Sequence, residues 1–368
     1  MNLINKVVII LFVCCLITLL ISWNYRSFEL FCVSSSLLLL SITINFKSIR
    51  NLVLPIFATI LTITVVECSL FIFYSSQSVK SYASKKYFQK IPGFGFKALP
   101  GIHSSRKLTK NKEIMYDVTY TIGSDGYRKD TNEDVYDAYI YGGSFAFGEG
   151  LNDDETISYY LKKKYQINVK NLGMHGFGLH QALYNIQHGI TSKKPQGINI
   201  LLTSPWHSLR SSCKPNFSIG TPRYILDNGS LKRDSVCQHT LISKVLSKSN
   251  IVKFLNLKVK KHQNTITDKD IELYIEIIKE IKKLSKANKA LLVIAYIDAS
   301  KKDLLKTSWT NQTLLSKLSI VADKVIDVTL AENYESLNPK FYIHTLDKHP
   351  SSIANMHRSD LLHQIFTK

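Results

Sequence analysis

Three long apolar segments fill most of the first 75 residues and constrain what this part of the chain can form. Each contains at most one acidic residue. A helix of about 20 predominantly apolar residues is long enough to cross a bilayer. We therefore predict a membrane anchor of three transmembrane helices over residues 1–75. The segments are Val7–Trp23, Phe28–Ile44 and Leu52–Tyr74.

A cleaved signal peptide is the alternative interpretation of the first segment. The segment ends in Ser22-Trp23-Asn24, which lacks the small-residue pattern of a cleavage site, and two further apolar segments follow closely. These features favour three retained spans over a cleaved signal.

The basic residues of the short loops predict the orientation of the anchor. Lys6 precedes the first segment, and Lys47 and Arg50 lie between the second and third, whereas Arg26 alone lies between the first and second. Loops rich in Lys and Arg stay in the cytoplasm. We therefore expect a multi-pass protein of the inner (cytoplasmic) membrane, with everything after Tyr74 in the periplasm or outside the cell.

Glu67 lies inside the third segment, where an acidic side chain is costly in lipid. Two interpretations stay open at this point. Either Glu67 pairs with another helix or a partner protein, or it lies near the outer interface and is solvated.

The chain is strongly basic, with a formal net charge of +19. A basic region beside a membrane attracts anionic lipid headgroups and acidic polysaccharide. Nucleic acid is the usual alternative partner for such a charge, but the sequence contains no nucleic-acid-binding motif. We expect no nucleic-acid partner.

The six cysteines divide between the two parts of the chain. Cys213 and Cys237 are the two that follow the apolar segments, and an even pair in an oxidising compartment predicts one disulfide between them. Neither has the spacing of a metal ligand, and no cluster of His, Asp and Glu in the sequence has the pattern of a metal site, so we expect no metal site and no cofactor. The other four lie in the apolar segments: Cys14, Cys15, Cys32 and Cys68.

The region after the anchor alternates short apolar strands with amphipathic helices, a pattern typical of parallel βαβ units in a three-layer α/β/α architecture. We predict a linker and irregular or β extension over residues 76–135, with a strand at Met115–Ile122, and an α/β domain over 136–368. Residues 208–265 interrupt the alternation and are interpreted as an insertion. The predicted strands are Asp137–Tyr141, Val169–Leu172, Ile198–Thr203, Ala290–Ile297 and Val325–Val328; the predicted helices are Glu155–Lys164, Leu179–Thr191, Asp268–Asn288, Asn311–Ala322 and Ser352–Phe366.

Two short motifs indicate serine-dependent chemistry. Gly142-Gly143-Ser144 follows the first predicted strand of the α/β domain, and Asp347 lies two residues before His349 near the end of the chain. A serine hydroxyl becomes a good nucleophile when a base removes its proton. His349 can be that base, and Asp347 can fix its tautomer and orientation.

With these motifs in view, the region from about Gly93 onward resembles the SGNH (GDSL-like) hydrolases, in particular their membrane-anchored bacterial members. Three blocks carry the resemblance in the family's order: Gly142–Gly148, with Gly143 in place of the usual Asp, Asn171–Gly176, and Asp347–Pro350. The resemblance implies a flavodoxin-like parallel sheet, a catalytic Ser144, Asp347 and His349, and oxyanion binding by the amides of Ser144 and Gly176.

The sequence departs from the family after the third strand of the α/β domain, where the usual oxyanion-binding Asn is absent. Ser204-Pro205-Trp206-His207 stands there instead. We predict that His207 replaces the Asn as donor, with the Trp206 indole as the second candidate. Trp206, Arg210 and His175 are further candidates for contact with substrate; a structural ion pair is the alternative for Arg210.

Two functions from different classes follow. The first is a serine-dependent O-acyl esterase or O-acyltransferase acting on an acyl ester of a cell-envelope glycan or lipid, with a membrane acyltransferase as a possible partner. The second is a non-catalytic envelope protein that binds polysaccharide or scaffolds a membrane complex. The presence of Ser144, Asp347 and His349 favours the first.

Overall fold

The computed structural model describes residues 33–37, 40, 50–77, 80–84, 86–129, 135–188, 197–238, 249–255 and 265–367. The chain divides into two compact units. The N-terminal unit comprises Met1–Ser78 with His239–His262, and the α/β unit comprises Val79–Gln238 with Gln263–Lys368.

The N-terminal unit contains one long apolar helix among its described residues, α1 (Arg50–Gln77). Its stretch Leu54–Tyr74 is long and apolar enough to cross a membrane. Of the other two predicted spans, Val7–Trp23 lies outside the described residues, and only 33–37 and 40 of Phe28–Ile44 are described, in helical conformation. The described part of the chain therefore shows one candidate span where the sequence predicts three.

Glu67 of α1 is fully buried within the N-terminal unit. Its carboxylate accepts hydrogen bonds from the backbone N–H groups of Asn250 (2.7 Å) and Ile251 (3.2 Å) and from the Ser249 hydroxyl. These donors form the start of a short helical stretch over residues 250–255. Of the two interpretations left open by the sequence, pairing with another helical segment is the one observed.

The described residues between α1 and residue 122 are rich in strands: β1 (Lys80–Ala83), β2 (Phe88–Ile91), β3 (Gly95–Ala98), β4 (Gly101–Leu108) and β5 (Ile114–Ile122). A three-stranded antiparallel sheet has the order β1-β4-β5, and β2 pairs with β3 in a hairpin. Gly93 and Gly95 adopt positive φ and close the β2–β3 hairpin. Of the irregular or β extension that the sequence predicts, the β alternative describes this part of the chain.

A five-stranded, fully parallel sheet forms the centre of the α/β unit. When the five strands are numbered 1 to 5 along the chain, their order across the sheet is 2-1-3-4-5, which is the flavodoxin-like order. The prediction of an α/β fold with a parallel sheet is confirmed. In chain order the strands are β6 (Ala138–Gly142), β7 (Val169–Asn171), β8 (Gly197–Thr203), then β11 (Ala290–Tyr296) and β12 (Lys324–Asp327).

Helices cover both faces of this sheet, as the side-chain alternation of the strands requires. Tyr139 and Leu201 pack into a core that includes Ile278, whereas Ile140 and Ile200 pack on the opposite face. The helices are α2 (Ser144–Phe147), α3 (Ile157–Tyr165), α4 (Leu179–His188), α5 (His207–Ser211), α6 (Asp268–Ala287), α7 (Lys301–Leu304), α8 (Asn311–Val321) and α9 (Ser352–His363).

The predicted insertion contributes to both units. Within the α/β unit it forms a hairpin of β9 (Pro222–Asp227) and β10 (Ser230–Val236). A disulfide between Cys213 and Cys237 joins the segment after α5 to the end of this hairpin, with Cα atoms 5.3 Å apart. The predicted pairing is therefore the one in the structure. A second short hairpin, β13 (Tyr342–His344) with β14 (Asp347–Pro350), precedes α9.

Candidate active site

Ser144 lies at the carboxyl end of β6, next to the point where the strand order reverses between β6 and β8. Open α/β sheets place their ligand sites there. Ser144 opens the one-turn helix α2, which ends at Gly148 in left-handed conformation. A side chain at Gly142 would lie 2.7 Å from the Leu202 carbonyl oxygen, so only glycine permits this turn against β8.

The structure brings Ser144, His349 and Asp347 together, as the motif order predicts. Ser144 Oγ lies 2.9 Å from His349 Nε2, and His349 Nδ1 lies 2.5 Å from Asp347 Oδ1. Asp347 Oδ1 also accepts the His349 backbone N–H at 3.1 Å, so the Asp-x-His spacing fixes the ring on its own backbone. This is the hydrogen-bond chain that activates a serine nucleophile.

Asp347 receives a second partner that the sequence analysis missed. Lys107 of β4 lies with its Nζ 2.7 Å from Asp347 Oδ2. Burial opposes ionisation of Asp347, but the hydrogen bond from His349, followed by that from Lys107, holds the pKa of this carboxyl well below its usual range. Lys107 carried no signal in the sequence because its partner lies 240 residues away along the chain.

The pKa of His349 is raised above its ordinary value. Burial lowers it, but the Asp347 hydrogen bond and then the charge of Glu149 outweigh burial, while Lys107 acts in the opposite sense. An imidazole in this environment holds a proton readily, which is what a base between a serine and a carboxylate must do.

Glu149 and His175 form a second polar chain beside Ser144. His175 Nδ1 lies 2.7 Å from Glu149 Oε2, and Tyr87 Oη lies 3.0 Å from His175 Nε2. Glu149 Oε2 is also 3.5 Å from His349 Nε2. His175 therefore reaches the site through Glu149. Glu149 follows the Gly142–Gly148 block directly, so its position in the sequence could have indicated a role.

His207, the first residue of α5, is buried, and its surroundings favour the neutral ring. Burial and then the neighbouring Arg210 and His180 hold its pKa well below the ordinary value. Thr203 Oγ1 lies 3.0 Å from His207 Nδ1 and 3.3 Å from Tyr274 Oη. Burial raises the pKa of Tyr274, so its phenol keeps its proton and can share a hydrogen bond with Thr203. A Thr203 hydroxyl that donates to His207 Nδ1 leaves the ring hydrogen on Nε2.

Two side chains of α5 pack directly against the turn that holds Ser144. A Cβ at Gly143 would lie 3.1 Å from His207 Nε2 and would collide with the Arg210 guanidinium. Glycine at 143 therefore allows His207 and Arg210 to approach the turn this closely. Nε2 of His207 therefore lies next to the turn that carries the nucleophile, where an N–H group would take the place of the missing Asn donor.

Arg210 and Gly176 both lie against the Phe217 ring. Arg210 donates from Nη1 to the Phe177 carbonyl at 2.6 Å, and its guanidinium lies 5.7 Å from the Phe217 ring centroid. Gly176 has φ +70° under that same ring, which a Cβ would approach at 3.1 Å. Burial lowers the pKa of Arg210 to about 10, and Glu149 opposes the shift, so the guanidinium stays cationic at neutral pH.

Trp206 belongs to a cluster of aromatic rings beside the nucleophile. Its ring lies 5.7 Å from those of Phe145 and Tyr334, and the Phe145 ring lies 5.5 Å from that of His349. These apolar faces can contact an acyl chain. Phe145 and Tyr334 are further site residues that the sequence analysis missed.

Asn171 links the two blocks that flank the nucleophile. Its Nδ2 donates to the Ala146 carbonyl at 2.7 Å, and its Oδ1 accepts the Gly173 N–H at 2.9 Å. Asn171 therefore fastens this loop. Over the part of the chain that the structure describes, no group of three or more His, Cys, Asp or Glu side chains is arranged to hold a metal ion.

The parallel sheet and the Ser144–His349–Asp347 chain define an α/β protein with the arrangement of a serine hydrolase site. No family model matches the chain, and no curated protein matches its sequence.

Three solved structures that are similar to this chain follow. One is a protein assigned to the lipolytic G-D-S-L family from Desulfitobacterium hafniense, with 13% identity, coverage of 62% of this chain and 99% of that one, and a TM-score of 0.36. A G-D-S-L family member from Veillonella parvula has 14% identity, coverage of 64% and 100%, and a TM-score of 0.35. An acetyl xylan esterase from Butyrivibrio proteoclasticus has 11% identity, coverage of 78% and 82%, and a TM-score of 0.32. Similarity at this level does not assign an activity to this chain.

Proposed function

We propose that this protein is a serine-dependent O-acyl esterase or O-acyltransferase. The observation that carries the proposal is the unbroken chain from Ser144 Oγ through His349 to Asp347, with contacts of 2.9 and 2.5 Å. A serine joined to a base, which is joined in turn to an orienting carboxylate, is the arrangement of nucleophilic acyl transfer.

In the proposed reaction, Ser144 Oγ attacks the acyl carbonyl carbon while His349 Nε2 takes the serine proton. His349 then gives that proton to the leaving alcohol oxygen as the ester bond breaks, which leaves the acyl group on Ser144. Water or a sugar hydroxyl gives its proton to His349 and attacks the acyl-enzyme, and Ser144 recovers the proton. The amides of Ser144 and Gly176 and the Nε2–H of His207 are the proposed donors to the oxyanion.

An acylated glycan or lipid of the cell envelope is the proposed substrate. The apolar stretch Leu54–Tyr74 and the net charge of +19 support it, because they favour a protein held at a membrane among anionic headgroups and acidic polysaccharides. A membrane acyltransferase that delivers the acyl group remains the proposed partner.

A fluorophosphonate probe and an ester assay test the proposal on the full-length protein in detergent. Wild type should be labelled at Ser144 and should hydrolyse p-nitrophenyl acetate above the level of Ser144→Ala. The exposed Ser124→Ala variant is the matched control and should behave as wild type. A folded wild-type protein that is neither labelled nor active would overturn the proposal and favour the non-catalytic envelope protein.

A further inference from the structure

Glu149 is a second carboxylate at the His349 ring, on the side opposite to Asp347. Asp347 holds Nδ1, whereas Glu149 Oε2 lies 3.5 Å from Nε2, the nitrogen that contacts Ser144. Any oxygen that exchanges a proton with Nε2 must therefore lie beside the Glu149 carboxylate. In the proposed reaction this oxygen belongs to the leaving alcohol or to the incoming acceptor.

The carboxylate is ionised and held in place. Burial alone would raise the pKa of Glu149, but the neighbouring His175 and then His349 lower it to about 2. The 2.7 Å hydrogen bond between His175 Nδ1 and Glu149 keeps the Glu149 side chain directed at the site. Tyr87 Oη lies 3.0 Å from the other ring nitrogen of His175 and holds that ring in place.

An ionised carboxylate accepts hydrogen bonds and donates none. An alcohol oxygen with no other donor nearby would present only its lone pairs to Glu149, which is an unfavourable contact. A substrate with a second O–H or N–H next to the reacting oxygen satisfies the carboxylate instead. Water, with two hydrogens, satisfies both Nε2 and Glu149.

We propose that Glu149 selects esters and acceptors whose reacting oxygen has a hydrogen-bond donor on the neighbouring carbon, as in the vicinal diols of sugars and glycerol. This inference rests on the proposed function. During transfer, the reacting hydroxyl gives its proton to His349 Nε2 and bonds to the acyl carbon. The bond from that carbon to Ser144 Oγ breaks, and Ser144 regains the proton. The neighbouring hydroxyl stays bound to Glu149 throughout and exchanges no proton.

A pair of esters that differ in one hydrogen-bond donor tests the proposal on the full-length protein in detergent. The substrates are 2-hydroxyethyl acetate and 2-methoxyethyl acetate, and the readout is the ratio of their kcat/KM values, with Ser144→Ala subtracted as blank. Wild type should favour the hydroxyl ester by about ten- to a hundredfold, the range of one hydrogen bond to a charged group. Glu149→Ala should bring the ratio close to one, and Glu149→Gln should give an intermediate value.

The exposed Asp154→Asn variant is the matched control, because it removes a carboxylate from the same segment outside the site, and it should keep the wild-type ratio. A wild-type ratio near one, or a wild-type ratio retained in Glu149→Ala, would overturn the selectivity while leaving the proposed function intact. If wild type turned over neither ester above the Ser144→Ala blank, the proposed function itself would be overturned.

Discussion

Two charged side chains, Glu149 and Lys107, act on the His349 ring in opposite directions. The Glu149 carboxylate raises the pKa of His349 and Lys107 lowers it. In the proposed mechanism only the neutral ring can accept the Ser144 proton, so kcat/KM rises with pH as His349 loses its proton. The acid limb of the pH profile therefore reports the pKa of His349.

Replacement of Glu149 by Gln should move this acid limb to lower pH. Without the neighbouring anion the imidazolium is less stable, so the pKa of His349 falls and the ring is neutral at lower pH. The measurement is kcat/KM against pH on a simple ester. An unchanged limb would show that Glu149 and His349 do not interact in the working enzyme.

Replacement of Lys107 by Met should move the acid limb the other way. Loss of the cation 2.7 Å from Asp347 Oδ2 leaves the imidazolium facing carboxylates alone, so the pKa of His349 rises. Lys90→Met, on the exposed edge of β2, is the control and should keep the wild-type profile. A shift to lower pH would contradict the assignment of Lys107 to the Asp347 site.

His207 permits a test of the oxyanion donor. His207→Ala should lower kcat by about 100- to 1000-fold, the typical cost of one such donor. His207→Asn should recover part of the loss, because an amide N–H can replace Nε2–H. Thr203→Val should also lower kcat, because it removes the hydroxyl that lies 3.0 Å from His207 Nδ1 and, in the proposed arrangement, donates to it. Normal kcat in folded His207→Ala would show that the residue is structural.

At the scale of elements, the sequence predicts the α/β unit closely. Each strand of the parallel sheet begins and ends within two residues of its predicted bounds, because these strands are short apolar runs bounded by turns. The strands of the preceding extension are harder to predict from sequence, because β2 and β3 are four-residue strands whose pairing depends on the conformation of Gly93 and Gly95.

The same contrast between local patterns and tertiary contacts explains which site residues can be predicted from the sequence. Ser144, Asp347 and His349 stand in local motifs, so sequence alone could place them. Lys107 and Tyr87 act through tertiary contacts across 240 and 88 residues, and no local pattern marks such a partner. Glu149 is the intermediate case, because its position next to the nucleophile block was visible but its contact with His349 was not.

The disulfide gives a prediction at the scale of elements. It closes a loop of 24 residues between the segment after α5 and the β9–β10 hairpin. In the chain-entropy model such a loop contributes about 3 kcal/mol to the free energy of unfolding. Cys213→Ser with Cys237→Ser should therefore lower the urea midpoint, and alkylation of unreduced wild type should find neither thiol free. Two free thiols in wild type would contradict the pairing.

At the scale of the whole molecule, the chain returns to its N-terminal unit long after leaving it. Glu67 binds the backbone of Asn250 and Ile251 across 183 and 184 residues. The sequence indicates that Glu67 is costly in lipid, but it does not identify the partner, because backbone N–H donors leave no pattern in the sequence.

Loss of the Glu67 carboxylate should release this contact. Glu67→Leu leaves the two N–H groups without their acceptor, and hydrogen bonds to charged groups contribute about 1.5–3 kcal/mol each. Hydrogen exchange in a peptide covering residues 249–255, measured on the full-length protein in lipid nanodiscs, should accelerate by about tenfold or more. Glu67→Gln, which keeps an acceptor oxygen, should accelerate it less. Thr62→Val, on the exposed side of α1, is the matched control and should leave exchange unchanged, since its hydroxyl bonds the Ala58 carbonyl of its own helix. Equal exchange in Glu67→Leu and wild type would show that the carboxylate does not hold this segment.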